Sequence, residues 1–296
     1  MAQDPSQPPT GGEYIPPPPP AYPVNSDIPP DSPYHYSPAP TGRPNRGILG
    51  GLLAAIIAVV SKGGAILALA LKIPAMGTLL SLVLSFGGYA LFWGWQFAAA
   101  LVVMILIHEM GHVIEIQRQG MKATAPIFIP FMGAAIFQRS HPTDALKQAK
   151  IGIAGPLLGT VGATAAFALY GATKWDLMLL MAMLGFYINL FNLIPISMLD
   201  GGWILAPVSK WFMVAGYGLL AVGALFAHLF LNPLVIIIAI LGIPMLIERF
   251  RNANNPYYTS VPVSARWAMG GAWLALVVYL GVATVQTSAL LGPLVR

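Results

Sequence analysis

Between positions 48 and 285 the chain is a succession of apolar runs, and their lengths decide what it can fold into. The runs cover approximately 48–71, 75–92, 95–117, 151–170, 176–196, 211–231, 233–247 and 267–285, and most hold enough residues to cross about 30 Å of hydrocarbon as a helix. Backbone in lipid must satisfy its own hydrogen bonds, which leaves helices as the structure for such runs. Composition agrees: 57% of the 296 residues are hydrophobic and 8% charged, against about 25% charged in soluble domains. A soluble globular domain is excluded. There is no cysteine, so disulfides, thiolate ligands and a cysteine nucleophile are excluded too, and any metal must be held by His, Asp or Glu. The expected fold class is an all-α polytopic membrane protein, a bundle of about seven transmembrane helices.

Residues 1–46 are a different material. Fifteen of the 27 prolines lie there, including the run Pro16 to Pro20, interleaved with Tyr14, Tyr22, Tyr34 and Tyr36. Such a segment cannot bury a core and lacks the charged-then-apolar layout of a cleavable signal peptide, so it reads as a disordered, partly polyproline-II tail. It reads first as a plain tail, the alternative being a ligand for a module that recognises proline motifs. Segment 47–72 is interrupted by Lys62-Gly63-Gly64 and ends at Lys72. A lysine in mid-bilayer is costly, so this segment is either interfacial, re-entrant or a first membrane crossing. Residues 73–210 form the membrane core that carries the chemistry below, and 211–296 the C-terminal transmembrane helices.

Charge orients the bundle. With 75–92 running outward and the later runs alternating, thirteen of the fifteen Lys and Arg residues fall on the cytoplasmic side, leaving Lys174 and Arg296 outside. That split follows the positive-inside rule. If 48–71 crosses, only the tail changes side. The basic residues sit between apolar runs and no nucleic-acid-reading motif is present, so the partners expected are the lipid bilayer and not nucleic acid. Short loops and the absence of targeting signals favour a multi-pass protein of a prokaryotic plasma membrane.

The strongest chemical signal is His108-Glu109-Met110-Gly111-His112, at the end of the apolar run Phe97 to Ile107. Positions four apart share a helix face, so both imidazoles can reach one ion while Glu109 sits beside the attacking water. Zinc is the usual metal for such a pair. The chain has only five His and ten acids, and titratable groups at the end of a membrane helix are expensive unless used.

Two histidines leave a catalytic metal one protein ligand short. Asp200 follows the apolar stretch 176–199 and, on the topology above, approaches the same cytoplasmic side as His112. Its alternative is a helix-ending Asp-Gly turn, which Gly201-Gly202 would suit. Glu115 is the nearest rival, only three residues past His112. Glu248 and the His141/Asp144 pair flank positive loops and read as solvated, and His228 lies near the outer interface.

At these residues the chain resembles the site-2 proteases, intramembrane zinc metalloproteases, over roughly residues 75–210. In that family an HExxH on one membrane helix is joined by the Asp of an Asn-x-x-Pro-…-Asp-Gly motif on a later one, and Asn192, Pro195, Asp200 and Gly201 occupy those positions. The resemblance implies one Zn2+ per chain held by His108, His112 and Asp200, Glu109 as general base, and Asn192 as a polar group that positions the scissile carbonyl. It is a compact form: the longest polar stretch in the membrane region, Arg139 to Lys150, leaves no room for an inserted PDZ-like or CBS-like domain.

Two further segments look similar to the family. Pro126 to Phe137, broken by Pro130 and Gly133, is too short to span and reads as a re-entrant β-like loop. An edge there would pair with an extended substrate, because a peptide bond inside an intact helix is shielded. Phe131, Gly133, Ala134 and Ile136 are the expected substrate contacts. The second segment, Gly152-Ile-Ala-Gly155-Pro156-Leu-Leu-Gly159, has GxxxG spacing and reads as helix packing.

The reaction implied is hydrolysis of a peptide bond in or near the transmembrane segment of a membrane-protein substrate, with the site opening to the cytoplasm. The alternatives are a membrane metal-ion transporter, which the intramembrane His and acids would also serve, and a catalytically inactive relative that binds membrane helices. Tags in the loops 118–150 and 249–266 are expected to be accessible only from the cytoplasmic side, and external labelling of either would overturn the orientation.

Overall fold

Prolines, glycines and one carboxylate cut the apolar sequence into helices. The computed structural model describes residues 74–226 and 233–291, apart from positions 137 and 139. These all belong to the unit Val59–Arg296. The proline-rich tail 1–46, the segment 47–72, Phe137, Arg139, His228 and Arg296 lie outside the described residues.

Helix α1 (Pro74–Trp93) and helix α2 (Trp95–Arg118) are separated by Gly94 alone. Its φ of 84° is accessible to glycine and lets the chain reverse in a single residue. After α2 a short antiparallel hairpin forms, β1 (Ile127–Ile129) with β2 (Gly133–Ala135), in the register Ile127↔Ala135, Phe128↔Ala134, Ile129↔Gly133. Helix α3 (Ala145–Thr173) starts six residues before the apolar run, because Asp144 caps it by accepting from the Lys147 backbone N–H at 2.9 Å.

Helix α4 (Asp176–Asn192) ends four residues earlier than its apolar run, since Pro195 cannot continue a helix. Leu193–Leu199 make a turn, and Asp200 opens the six-residue helix α5 (Asp200–Leu205). The Asp-Gly step therefore begins a helix where a helix-ending turn was the alternative. Gly201 and Gly202 serve close approach: a Cβ on either would lie 2.1 Å from the Leu193 carbonyl oxygen or 2.3 Å from that of Ile196. Helices α6 (Trp211–Phe226), α7 (Pro233–Arg251), α8 (Pro256–Thr259) and α9 (Val263–Leu291) complete the described chain.

The protein is a polytopic all-α membrane protein. Helices α1, α2, α3 and α9 are long and apolar enough to cross a bilayer. α4 and α6 are apolar but only 17 and 16 residues long, about 24–26 Å at 1.5 Å per residue. α7 carries Glu248, Arg249 and Arg251 in its last turn. Large apolar side chains such as Leu91, Phe92, Trp267 and Val285 are exposed, as a lipid-facing surface requires.

The principal core joins α2, α3, α4, α5 and α9 through Met104, Ala163, Phe186, Ile204 and Leu280. A second cluster packs α1 and β1 on α2 through Tyr89, Ala98, Ile105 and Phe128. At the polar end Tyr257 of α8 donates to Gln148 of α3. Burial, with Tyr258 and Asp144 adding, raises that phenol above its usual range and keeps the donor protonated.

Helices α2 and α3 meet backbone to backbone at Gly111. A Cβ there would lie 2.2 Å from the Ala154 carbonyl oxygen and 2.9 Å from the Gly155 Cα, so backbone meets backbone. Gly111→Ala is expected to destabilise the detergent-solubilised protein by about 1–3 kcal/mol, as overpacking does. Gly281→Ala, where nothing lies within 4 Å of the new methyl, is expected to leave the thermal midpoint unchanged. Equal midpoints for the two variants would contradict this crossing.

Candidate metal centre

The buried half of α2 presents His108, Glu109 and His112, which are 3%, 8% and 7% exposed. Four residues of helix bring the two imidazoles onto one face, ring centroids 4.9 Å apart and nearly perpendicular. Their Nε2 atoms are 3.2 Å apart. The turn after α4 delivers Asp200 to the same point: Oδ2 lies 3.1 Å from His108 Nε2 and Oδ1 lies 3.3 Å from His112 Nε2. Among the described residues these three are the group of His and acids able to share one ion.

The donor set fits zinc on two grounds. His112 Nδ1 lies 2.8 Å from the Ile151 carbonyl, which can only accept, so Nδ1 carries the hydrogen and Nε2 presents a lone pair. Asp200 Oδ2, facing that pair of rings, is buried and receives no hydrogen bond. Electron pairs therefore converge on one buried point, an arrangement that a cation satisfies. The contacts of 3.1–3.3 Å, between the two rings and from one oxygen of Asp200 to each ring, are slightly shorter than the roughly 3.3–3.6 Å that separates ligand atoms around a tetrahedral zinc.

Other acids and histidines of the sequence stand elsewhere. Glu115 accepts from Gln119 Nε2 at 2.9 Å and faces Arg118 at 3.8 Å, away from the rings. Asp144 is a helix cap. His141 and Glu248 are exposed.

A cavity of about 590 Å³ opens beside the centre, lined by His108, Glu109, Asn192 and the hairpin residues Phe131, Gly133 and Ala134. Ile136 lies one residue past β2 and does not line it. Asn192 donates from Nδ2 to the Ile188 carbonyl of its own helix at 3.0 Å, which leaves its side-chain oxygen for the cavity. Phe131, at the hairpin tip, holds a left-handed φ of 64°. Its N–H donates to the Tyr89 hydroxyl at 3.0 Å, and the Tyr89 and Phe92 rings pack edge-on against it. The hairpin has one occupied edge: the Phe128 N–H donates to Ser81 Oγ of α1 at 3.0 Å. Phe128 thus points its backbone polar groups away from β2, and its partner Ala134 points its own away from β1, on the other edge.

Two features were not read from the sequence. Asn189, a turn before Asn192, lies 2.8 Å from His108 Nδ1 through its Oδ1. The GxxxG segment does more than pack helices: a Cβ on Gly155 would strike His112 Nε2 at 2.2 Å, and one on Gly159 would strike Asn189 Oδ1 at 2.2 Å. The absence of side chains at Gly155 and Gly159 makes room for the ring and the amide. The spacing was visible in the sequence, but its neighbours were not.

Comparison with known proteins finds similarity to peptidases over part of the chain. Residues 96–175, which hold α2, the hairpin and α3, match the model of peptidase family M50. A curated zinc metalloprotease of Methanocaldococcus jannaschii is 28% identical over 130 residues, 42% of this chain and 37% of the relative. The match thus spans little more than a third of that relative's length. A solved site-2 protease structure from the same organism aligns at 23% identity and a TM-score of 0.38, covering 59% of this chain and 88% of that one. Over these residues the chain is thus similar to M50 peptidases and to a zinc metalloprotease.

The geometry separates the two acids that compete for the third ligand position. Asp200→Ala is expected to lose its zinc in a chelator wash that Glu115→Ala withstands, as read by metal analysis of the purified proteins. The reverse pattern would return the position to Glu115.

Proposed function

We propose that this chain, whose membrane core has M50 peptidase character, is an intramembrane zinc metalloprotease of the site-2 type. It cleaves peptide bonds in or near the transmembrane segments of membrane-protein substrates. The observation that carries the reading is the convergence of His108, His112 and Asp200 within 3.1–3.3 Å, beside a cavity that His108 and Glu109 line. Zinc bound by these three side chains supplies a Lewis acid that polarises the carbonyl and lowers the pKa of an attacking water towards about 7.

The rest falls to the chain's own residues. Glu109, which follows His108 on α2 and has no place in the ligand set, takes the proton of the attacking water and returns it to the leaving nitrogen. The side-chain oxygen of Asn192 holds the peptide group by its N–H, orienting the carbonyl. The substrate lies as an extended strand against Ala134, whose backbone N–H and C=O are directed to the open edge of β2. This pairing stabilises the unwound segment and exposes a peptide bond that an intact helix would hide. Phe131 and Gly133 bound that edge at the hairpin turn. The apolar wall of the cavity limits bulk water and strengthens each electrostatic contact.

The positive loops support a site that opens to the cytoplasm, through which water enters and cleaved products leave. Glu109→Gln removes the base and keeps the shape. In an assay with a transmembrane peptide substrate in detergent or liposomes, its cleavage rate is expected to fall by at least about 10²–10⁴ while zinc content stays at the wild-type level. Turnover comparable to wild type would sink the assignment of Glu109.

A further inference from the structure

We infer that Asn189 is the positioning residue that orients the His108 ring for the metal, and that Gly159 and Gly185 form the seat of its amide. The inference rests on the metalloprotease reading above and deepens it. Asn189 is fully buried in α4. Two contacts decide which way its amide points. Nδ2 donates to the Gly185 carbonyl at 2.6 Å, and a carbonyl can only accept. The amide oxygen is thereby turned to His108 Nδ1 at 2.8 Å. An amide oxygen also only accepts, so Nδ1 must carry the ring hydrogen and Nε2 is left with its lone pair. That lone pair faces His112 Nε2 and Asp200. The tautomer of a ligand on α2 is thus set by a carbonyl one turn earlier on α4.

The alternative is that Asn189 merely satisfies its own polarity in hydrocarbon. An Asn in a membrane helix does seek a partner, and the bond to Gly185 would serve. It leaves the oxygen unspent, however, and that oxygen is aimed at the imidazole from a pocket cleared for it. On α3, a Cβ at Gly159 would lie 2.2 Å from Oδ1 and 2.5 Å from Nδ2. On α4, a Cβ at Gly185 would lie 2.6 Å from Met104 Cε and 2.8 Å from the Ala163 Cβ, so this glycine lets α4 sit close enough for the amide to reach His108. His112 is held by a different helix, through the Ile151 carbonyl of α3. Each ring is therefore oriented from a separate neighbour of α2, and the metal site requires α2, α3 and α4 to be assembled.

Outer partners of ligating histidines typically govern metal affinity by about 10–100-fold. In a chelator competition with zinc on the full-length purified protein, Asn189→Leu is expected to weaken zinc binding by about 10–100-fold, the range for such partners. Asn189→Asp, which keeps an acceptor for Nδ1–H, is expected to retain most of the affinity. Wild-type affinity in Asn189→Leu would overturn the inference, and so would an equal loss in both variants, which marks a structural role. The 15N shifts of the histidine rings in the zinc-loaded wild type supply a test that needs no variant. His108 protonated at Nδ1 supports the assignment, and protonation at Nε2 overturns it. Failure of the wild type to bind zinc at all would instead defeat the metalloprotease reading on which this one stands.

Discussion

The site depends on how closely α2 and α3 cross. With no side chain at Gly111 the backbone of α2 lies against Ala154 and Gly155, and this contact brings the Ile151 carbonyl within 2.8 Å of His112. Gly155 leaves the imidazole its space in the same crossing. The HExxH motif thus contains its own packing residue: the fourth position sets the helix distance that the fifth position needs. In a membrane, where apolar contact with lipid is as favourable as contact with another helix, such close van der Waals packing and buried hydrogen bonds hold the bundle together.

From that crossing the centre is assembled by helix ends. α4 reaches α2 through the Asn189 amide, ends at Asn192 ahead of Pro195, and the chain returns as α5 with Asp200 as its first residue. The paired glycines after Asp200 press α5 against the turn that precedes it. The carboxylate is therefore carried by two backbone contacts that tolerate no side chain, and it meets two imidazoles whose outer nitrogens are already committed. Three buried electron-pair donors held this way would repel one another without a positive charge between them.

Much of this was legible in the sequence because it is periodic. The i, i+4 spacing puts both histidines on one face of any helix, and runs of bilayer length mark the helices. The helix ends were not legible in that way: Asp144, which reads as solvated, caps α3, and Pro195, inside an apolar run, cuts α4 short, which moves those helices' ends from the edges of their apolar runs. What sequence order could not hold was contact between distant segments. Asn189 looks like any polar residue in an apolar helix until His108 is found 81 positions away. Phe131 gave no sign of its left-handed backbone, which its ring contacts and the Tyr89 hydroxyl hold. Ser81 of α1 occupies the β1 edge of the hairpin, a pairing invisible in the order of residues.

Whether two imidazoles and one carboxylate hold zinc can be read by X-ray absorption at the zinc edge of the purified protein. One zinc per chain is expected, in a four-coordinate shell of two imidazole nitrogens and light oxygen donors at about 2.0–2.2 Å. A sample without zinc, or a shell lacking histidine scattering, would contradict it.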